Sequence, residues 1–262
     1  MRSRHQRNHV ALDGRRIWIT GASSGIGAAL AEALADYDVQ LVISARSEGP
    51  LNTLARKIGT ERCHVAAADL SSREGNQQCA SVITEHLGGI DTIILNAGNC
   101  EYVDVSQFNS QAFANMLQTN VMSQVYGIEA TLPLLRRSKQ GHIVGVSSQA
   151  GRLGLPRSEA YGASKAAIHN MLEALRVDLK AEGIDVSAIY PGFVKTPLTD
   201  RNDFPMPFLV SPEEAARVMV DGIAQRRAEI HFPRRLSALI ALAGRLPAAW
   251  YTRLAQSMVR PS

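Results

Sequence analysis

The chain alternates short apolar runs with longer segments of helical periodicity. Residues 16–20 and 39–44 are β-rich and almost wholly apolar, and the spacing predicts a helix over 25–36 between them. Further strands are predicted at 64–68, 91–95, 142–146, 185–190 and, as a short piece, 229–232. Helical patterns fill the gaps, notably over 110–137 and 159–182. Apolar strands each separated by a helix describe a parallel sheet covered on both faces. The expected fold class is α/β: a doubly wound parallel sheet of the dinucleotide-binding, Rossmann-like kind, in a single domain with a short helical C-terminal extension. The expected divisions are a basic N-terminal tail at 1–11, a catalytic domain at 12–232 and an amphipathic helical extension at 233–262. A chain of 262 residues suffices for one large domain of this kind.

Charge adds an asymmetry. Residues 1–12 carry three arginines and no acid, and residues 230–262 carry five arginines and no acid. Removing those eight charges from the net +4 leaves the middle at about −4, so the basic pI belongs to the two ends. The basic start, followed by no apolar h-region, does not read as a secretory signal and is expected to be a disordered tail. Aromatics are few and no basic stripe crosses the core, which argues against a nucleic-acid partner. Cys63, Cys79 and Cys100 form no Cys-x-x-Cys pair, and the seven histidines show no metal-ligand spacing. Reduced thiols, a cytoplasmic setting and no metal are expected.

In the extension, Leu236, Leu239, Ile240 and Ala243 form one apolar helical stripe beside arginines, followed by a second pattern with Trp250, Leu254 and Met258. No stretch is long enough to span a bilayer. Packing on the domain, a lid, a dimer contact and peripheral membrane contact through 233–262 all fit this pattern.

Two features bring chemistry. Tyr161 and Lys165, four residues apart on a helix, place a phenol and an ammonium on one face. A nearby cation lowers a phenol's pKa, so Tyr161 is expected to exchange protons near neutral pH. The loop Thr-Gly-Ala-Ser-Ser-Gly-Ile-Gly at 20–27 follows a strand and opens a helix, where glycines admit a pyrophosphate and the helix N-terminus favours its charge.

Together with Asn-Ala-Gly at 96–98, Ser148 thirteen residues before Tyr161, and Pro-Gly-Phe-Val-Lys-Thr at 191–196, these motifs resemble the short-chain dehydrogenase/reductase family over about residues 12–232. The resemblance implies Tyr161 as general acid or base, Lys165 lowering its pKa and holding the cofactor ribose, and Ser148 stabilising charge on the substrate oxygen. The adjacent Ser147 is the competing candidate, disfavoured by its spacing to Tyr161. Asn120 matches the asparagine that orders a water beside the lysine, or is a packing residue. Around the cofactor the resemblance implies Gly21, Ser23, Ser24, Gly25, Ile26 and Gly27 at the phosphates. It implies Asp69 and Leu70 at the adenine, with Asp69 alternatively a turn or cap residue. Asn96, Ala97 and Gly98 would shape the backbone beside the ribose and nicotinamide. Pro191, Gly192, Val194 and Thr196 would lie at the nicotinamide.

An acid ending the second strand selects NAD, whereas an arginine there accommodates the 2′-phosphate of NADP. This chain has Ala45 at that place, followed by Arg46 and Ser47, and is similar to NADP-using hydroxysteroid-type members. One departure is Ser24, where many NADP users have a basic residue. The expected cofactor is NADP(H), ahead of NAD. Leu153, Leu155, Phe193, Phe204, Met206 and Phe208 suggest an apolar pocket wall, hence a hydrophobic ketone, aldehyde or secondary alcohol as substrate. A homodimer or tetramer is expected. Alternatives are a 3-ketoacyl thioester reductase of fatty acid metabolism, or a non-catalytic NADP-binding sensor or scaffold.

Overall fold

The structure, a computed structural model, describes residues 4–256. Met258 of the predicted second C-terminal pattern and residues 1–3 of the predicted tail lie outside the described residues. Seven parallel strands form one sheet in the order β3-β2-β1-β4-β5-β6-β7. They are β1 (Arg15–Thr20), β2 (Val39–Ser44), β3 (Cys63–Val65), β4 (Thr92–Leu95), β5 (His142–Val146), β6 (Asp185–Pro191) and β7 (Glu229–Phe232).

Strands β1, β2, β4 and β5 are buried almost residue for residue because helices cover both faces. Helices α2 (Gly25–Leu34), α3 (Glu48–Ile58) and α8 (Pro212–Ala224) share one core, with Leu30, Leu34, Leu51 and Met219 packed on Ile17, Ile19 and Ile43. Helices α4 (Arg73–Leu87), α6 (Ser123–Leu135) and α7 (Glu159–Asp178) close the opposite face, with Ile83, Ile128, Ile168 and Leu172 packed on Trp18, Ile93 and Ile143. Trp18 is fully buried, and its indole N–H donates to Ser44 Oγ at 2.8 Å, so its one polar atom is satisfied. The connections leave β1 toward β2 and β4 toward β5 in opposite directions. The strands' C-terminal ends therefore part into a crevice between β1 and β4.

Four regions differ from the pattern-based expectation. The basic N-terminus is not a tail over its described part: α1 (Arg4–Leu12) is helical. Leu12 is buried, and buried Asn8 donates to Asp221 Oδ1 at 2.7 Å. β3 is shorter than predicted, although Ala66 and Ala68 still donate to the carbonyls of Ile43 and Ala45. The long helix predicted over 110–137 is α5 (Ser110–Met116) and α6 joined by a π-helical turn at Leu117–Met122. At the C-terminus, α9 (Arg234–Ala243) and α10 (Ala248–Gln256) follow β7. Here the predicted stripe splits. Leu236 is buried and Ile240 half-buried, while Leu239 turns outward. Among the described residues no helix is long and apolar enough to cross a membrane.

Candidate active site

The crevice at the strand ends is a cleft of about 600 Å³. Its floor at β1 is the turn from Thr20 into α2. Gly21 and Gly25 have φ of +69° and +55°, which side chains rarely adopt. A Cβ on Gly21 would stand 2.8 Å from Ala97 Cα. Ser24 precedes α2 with extended backbone and makes no side-chain cap. The first N–H groups of α2 are thus left to the cleft, which fits the pyrophosphate of a dinucleotide. Gly27 does not line the cleft: its missing Cβ lets α2 lie against the Gly21 carbonyl and the Asn96 amide. Asn96 Nδ2 donates to Thr20 O at 3.0 Å, tying the 96–98 turn to the glycine loop.

Ser23, Ser24, Ile26, Arg46, Ser47, Asp69 and Leu70 line the cleft, as do Ala97, Gly98, Pro191, Gly192, Val194 and Thr196. Asp69 Oδ1 accepts from Ser71 N at 3.0 Å and Ser71 Oγ at 2.7 Å. These bonds, rather than a ligand, hold the carboxyl below the usual range against the opposing effect of burial. The turn function of Asp69 is therefore present, on a residue that also faces the cleft.

Tyr161 and Lys165 rise from the first turns of α7 beside β5. The Lys165 ammonium donates to Val146 O at 3.0 Å and lies 5.7 Å from the Tyr161 ring centre. Ser148 Oγ accepts from Ala150 N at 3.2 Å, and its hydroxyl lies near enough to the Tyr161 phenol to act on it. The Ser147 hydroxyl instead donates to the Lys165 carbonyl at 2.7 Å and is buried. Asn120 sits in the π turn, a distortion common at functional sites. It is fully buried and outside the cleft lining. Its Oδ1 accepts from Asn99 N at 2.8 Å, and its Nδ2 donates to Asn99 O at 3.0 Å and Ser164 Oγ at 2.9 Å. The side-chain amide thus joins the 96–99 turn to α7.

One electrostatic expectation is corrected. Burial pushes the Tyr161 phenol above its ordinary value, nearby Cys100 adds to this, and the Ser148 hydroxyl only partly opposes it. No lowering by Lys165 is seen. Burial instead acts on Lys165 itself and brings it down to about 8, against a smaller opposing effect of Cys100. The acid form of Tyr161 therefore prevails over the physiological range, beside a lysine that titrates near its upper edge.

Residues 15–204 match the model of the short chain dehydrogenase family. An uncharacterized oxidoreductase of Myxococcus xanthus is 36% identical over 235 residues, covering 89% of this chain and 93% of that one. This chain belongs to the short-chain dehydrogenase/reductase family. An uncharacterized oxidoreductase of Staphylococcus haemolyticus is 31% identical over 214 residues, covering 82% and 93%. A solved short-chain dehydrogenase/reductase from Burkholderia phymatum, in complex with NAD, matches with a TM-score of 0.82 at 25% identity, over 89% of this chain and 94% of that chain. The protein is accordingly an oxidoreductase of this family with the family's fold.

Around the site this short-chain dehydrogenase/reductase has features the motifs did not announce. The segment after Thr196 is pinned at its base by a bridge between Val194 and Val210. It is fastened across the cleft by Tyr102, whose hydroxyl donates to Asn202 Oδ1 at 2.6 Å, and by Arg157, which pairs with Asp203 at 2.9 Å. Phe204 packs edge-on against Tyr102 and Phe193. Phe208, expected in the pocket wall, is 39% exposed, with its backbone in the left-handed region. Leu153 and Leu155 face α10 rather than the cofactor cleft. Arg201 and Thr199 line the cleft without a sequence signal, because the loop carrying them is placed by contacts about 100 residues away in the chain. Cys100 was visible only as a scattered cysteine. It lies close enough to Tyr161 and Lys165 to act on both, and burial raises its thiol to about 11.

His169, Glu173 and Glu229 bring ligand-type atoms within 4.8 Å of one another behind the site. Arg152 pairs with Glu229 at 3.2 Å and supplies positive charge there, and His169 is hydrogen-bonded to the Tyr190 hydroxyl at 2.5 Å.

Proposed function

We propose that this protein is an NADP(H)-dependent oxidoreductase that transfers a hydride between nicotinamide and a hydrophobic ketone, aldehyde or secondary alcohol. The observation that carries this is the meeting of the Ser148 hydroxyl, the Tyr161 phenol and the Lys165 ammonium at the inner end of a cleft whose other end is a glycine loop. When bound, the nicotinamide cofactor supplies the hydride. Ser148 orients the substrate oxygen and donates to it as charge develops there. Tyr161, kept protonated by burial, gives its proton to that oxygen. Lys165, its ammonium 5.7 Å from the Tyr161 ring centre, holds the ribose of the cofactor, the role the resemblance implies. Asn120 fixes the turn at Asn99 against α7 and so fixes the distance between Gly98 and Lys165. Assembly as a homodimer or tetramer belongs to the same reading.

The test is NADPH oxidation against a panel of hydrophobic ketones, aldehydes and ketoacyl thioesters. Turnover of the first two classes supports the reading. Exclusive turnover of thioesters replaces it with a 3-ketoacyl thioester reductase, and tight NADPH binding with no turnover points to a sensor or scaffold.

The cofactor preference rests on Ala45 and the exposed Arg46 beside the cleft. With no acid at the second strand's end, nothing there repels a 2′-phosphate, and a guanidinium binds one well. Arg46→Ala should raise the NADPH KM by about tenfold or more, as expected for loss of a charge-assisted contact, and leave the NADH KM nearly unchanged. Equal losses for both cofactors would remove the assignment; the NAD in the Burkholderia phymatum relative makes this comparison a necessary one.

The pH dependence follows from Lys165. Its value of about 8 lies below the ordinary lysine value, so the ammonium is present below about pH 8 and lost above it. In the reducing direction, kcat/KM should be flat below neutrality and fall about tenfold per unit above pH 8. A profile that stays flat through alkaline pH would show that the Lys165 charge is not required.

A further inference from the structure

Helices α9 and α10 cover the outer wall of the active site with one side and turn the other to solvent. On the inner side, Leu236 packs beside Gly192, Ser237 Oγ accepts from buried Gln149 Nε2 at 2.7 Å, and the Tyr251 hydroxyl donates to Gly154 O. On the outer side, Leu239 is 53%, Leu242 62%, Trp250 71% and Leu254 51% exposed. Arg234 and Arg235 in α9, Arg253 in α10 and Arg245 in the turn between them are exposed and form no ion pair among the described residues. The sequence from 230 to 262 contains no acid at all.

We propose that this outer face docks on an anionic phospholipid bilayer. Leucines and a tryptophan interspersed with arginines suit a helix lying in the headgroup plane, where the apolar side chains enter the acyl boundary and the guanidinium groups meet lipid phosphates. The helices are too short to span, which restricts the contact to the interface. Charge decides between occupants. A second copy of this chain pairing through the same face would set arginines against arginines with no acid to relieve them, whereas an anionic surface complements all of them. Because α9 touches Gly192 and is hydrogen-bonded to Gln149, next to Ser148, the docked face lies beside the substrate end of the cleft. That placement suits a substrate dissolved in lipid. The docking itself does not rest on the assigned reaction, since it is read without turnover.

The chain has two tryptophans, Trp18 fully buried and Trp250 exposed, so indole emission reports the docking directly. The full-length protein is titrated with phosphatidylcholine vesicles, with and without phosphatidylglycerol, and followed by co-sedimentation and fluorescence. Expected are binding and a blue shift with the anionic vesicles only. The shift should vanish in Trp250→Phe, and Leu239→Asp with Leu242→Asp should abolish sedimentation. Arg234→Gln with Arg235→Gln should weaken partitioning by about tenfold or more. Each variant is compared by its thermal unfolding midpoint, which these exposed positions should leave unchanged. No binding to anionic vesicles overturns the proposal. So does equal binding to both vesicle types, and so does a blue shift that grows with protein concentration in the absence of vesicles, which would assign the face to a second copy.

Discussion

Tyr161→Phe should lower kcat for carbonyl reduction by about a thousandfold or more while leaving NADPH binding and the fold intact. The phenol is the group placed to deliver the proton, and general acid catalysis by a positioned side chain contributes about 10²–10⁴. Phenylalanine keeps the ring that packs with Val103, Met116, Ala160 and Phe113. Ser148 keeps its bond from Ala150 N. The change thus separates the hydroxyl from the ring. Steady-state turnover on the best substrate of the panel, beside NADPH binding by fluorescence, gives the two readouts. A loss below tenfold would remove Tyr161 from proton transfer. A parallel loss of NADPH binding would show that it holds the cofactor rather than the proton.

The same residues show where a sequence can and cannot be read. The glycine loop, Asn-Ala-Gly, Ser148, Tyr161 and Lys165 are each local signals, set on strand ends that the apolar runs made visible. The sheet and its cleft followed from them. The electrostatics did not. A lysine four residues from a tyrosine predicts a lowered phenol only if both stay solvated. Here Lys165 is buried and Tyr161 half-buried, and desolvation, which raises a phenol and lowers an ammonium, is the largest effect on each. Gly27 belongs to the loop motif, yet it lies behind the cleft, against Gly21 and Asn96, which line it. Helix α1 has no strong apolar period and is fastened by Asn8 to Asp221, a contact spanning 213 residues. The π turn that carries Asn120 and the Tyr102–Asn202 fastening likewise depend on partners distant in the chain. Such features become legible only when the sheet has brought its parts together.

Gly27→Ala should weaken cofactor binding strongly and destabilise the fold, although Gly27 itself does not line the cleft. An added Cβ would stand 2.3 Å from the Gly21 carbonyl oxygen and 2.6 Å from Asn96 Nδ2. The first is backbone and cannot rotate away. The Asn96 amide is held by Thr20 O and Gly21 O at 3.0 and 3.2 Å, so it gives way only by breaking those bonds. Relief must come from α2 moving off the loop, which displaces the N–H groups expected to face the pyrophosphate. Overpacking of this kind costs about 1–3 kcal/mol. Lost alignment of the helix N-terminus should add a rise of at least about tenfold in the NADPH Kd. Gly49→Ala is the matched control. Gly49 lies in α3 with nothing within 4 Å of its added Cβ and with no positive φ. There the same change should be neutral or stabilise by about 0.5–1 kcal/mol, because alanine gives up less backbone freedom on folding. Chemical denaturation and NADPH titration of the two variants should therefore diverge in sign for stability and differ at least tenfold in binding. If both behave alike, the close approach of α2 to the Gly21 carbonyl is not what shapes the phosphate end of the site.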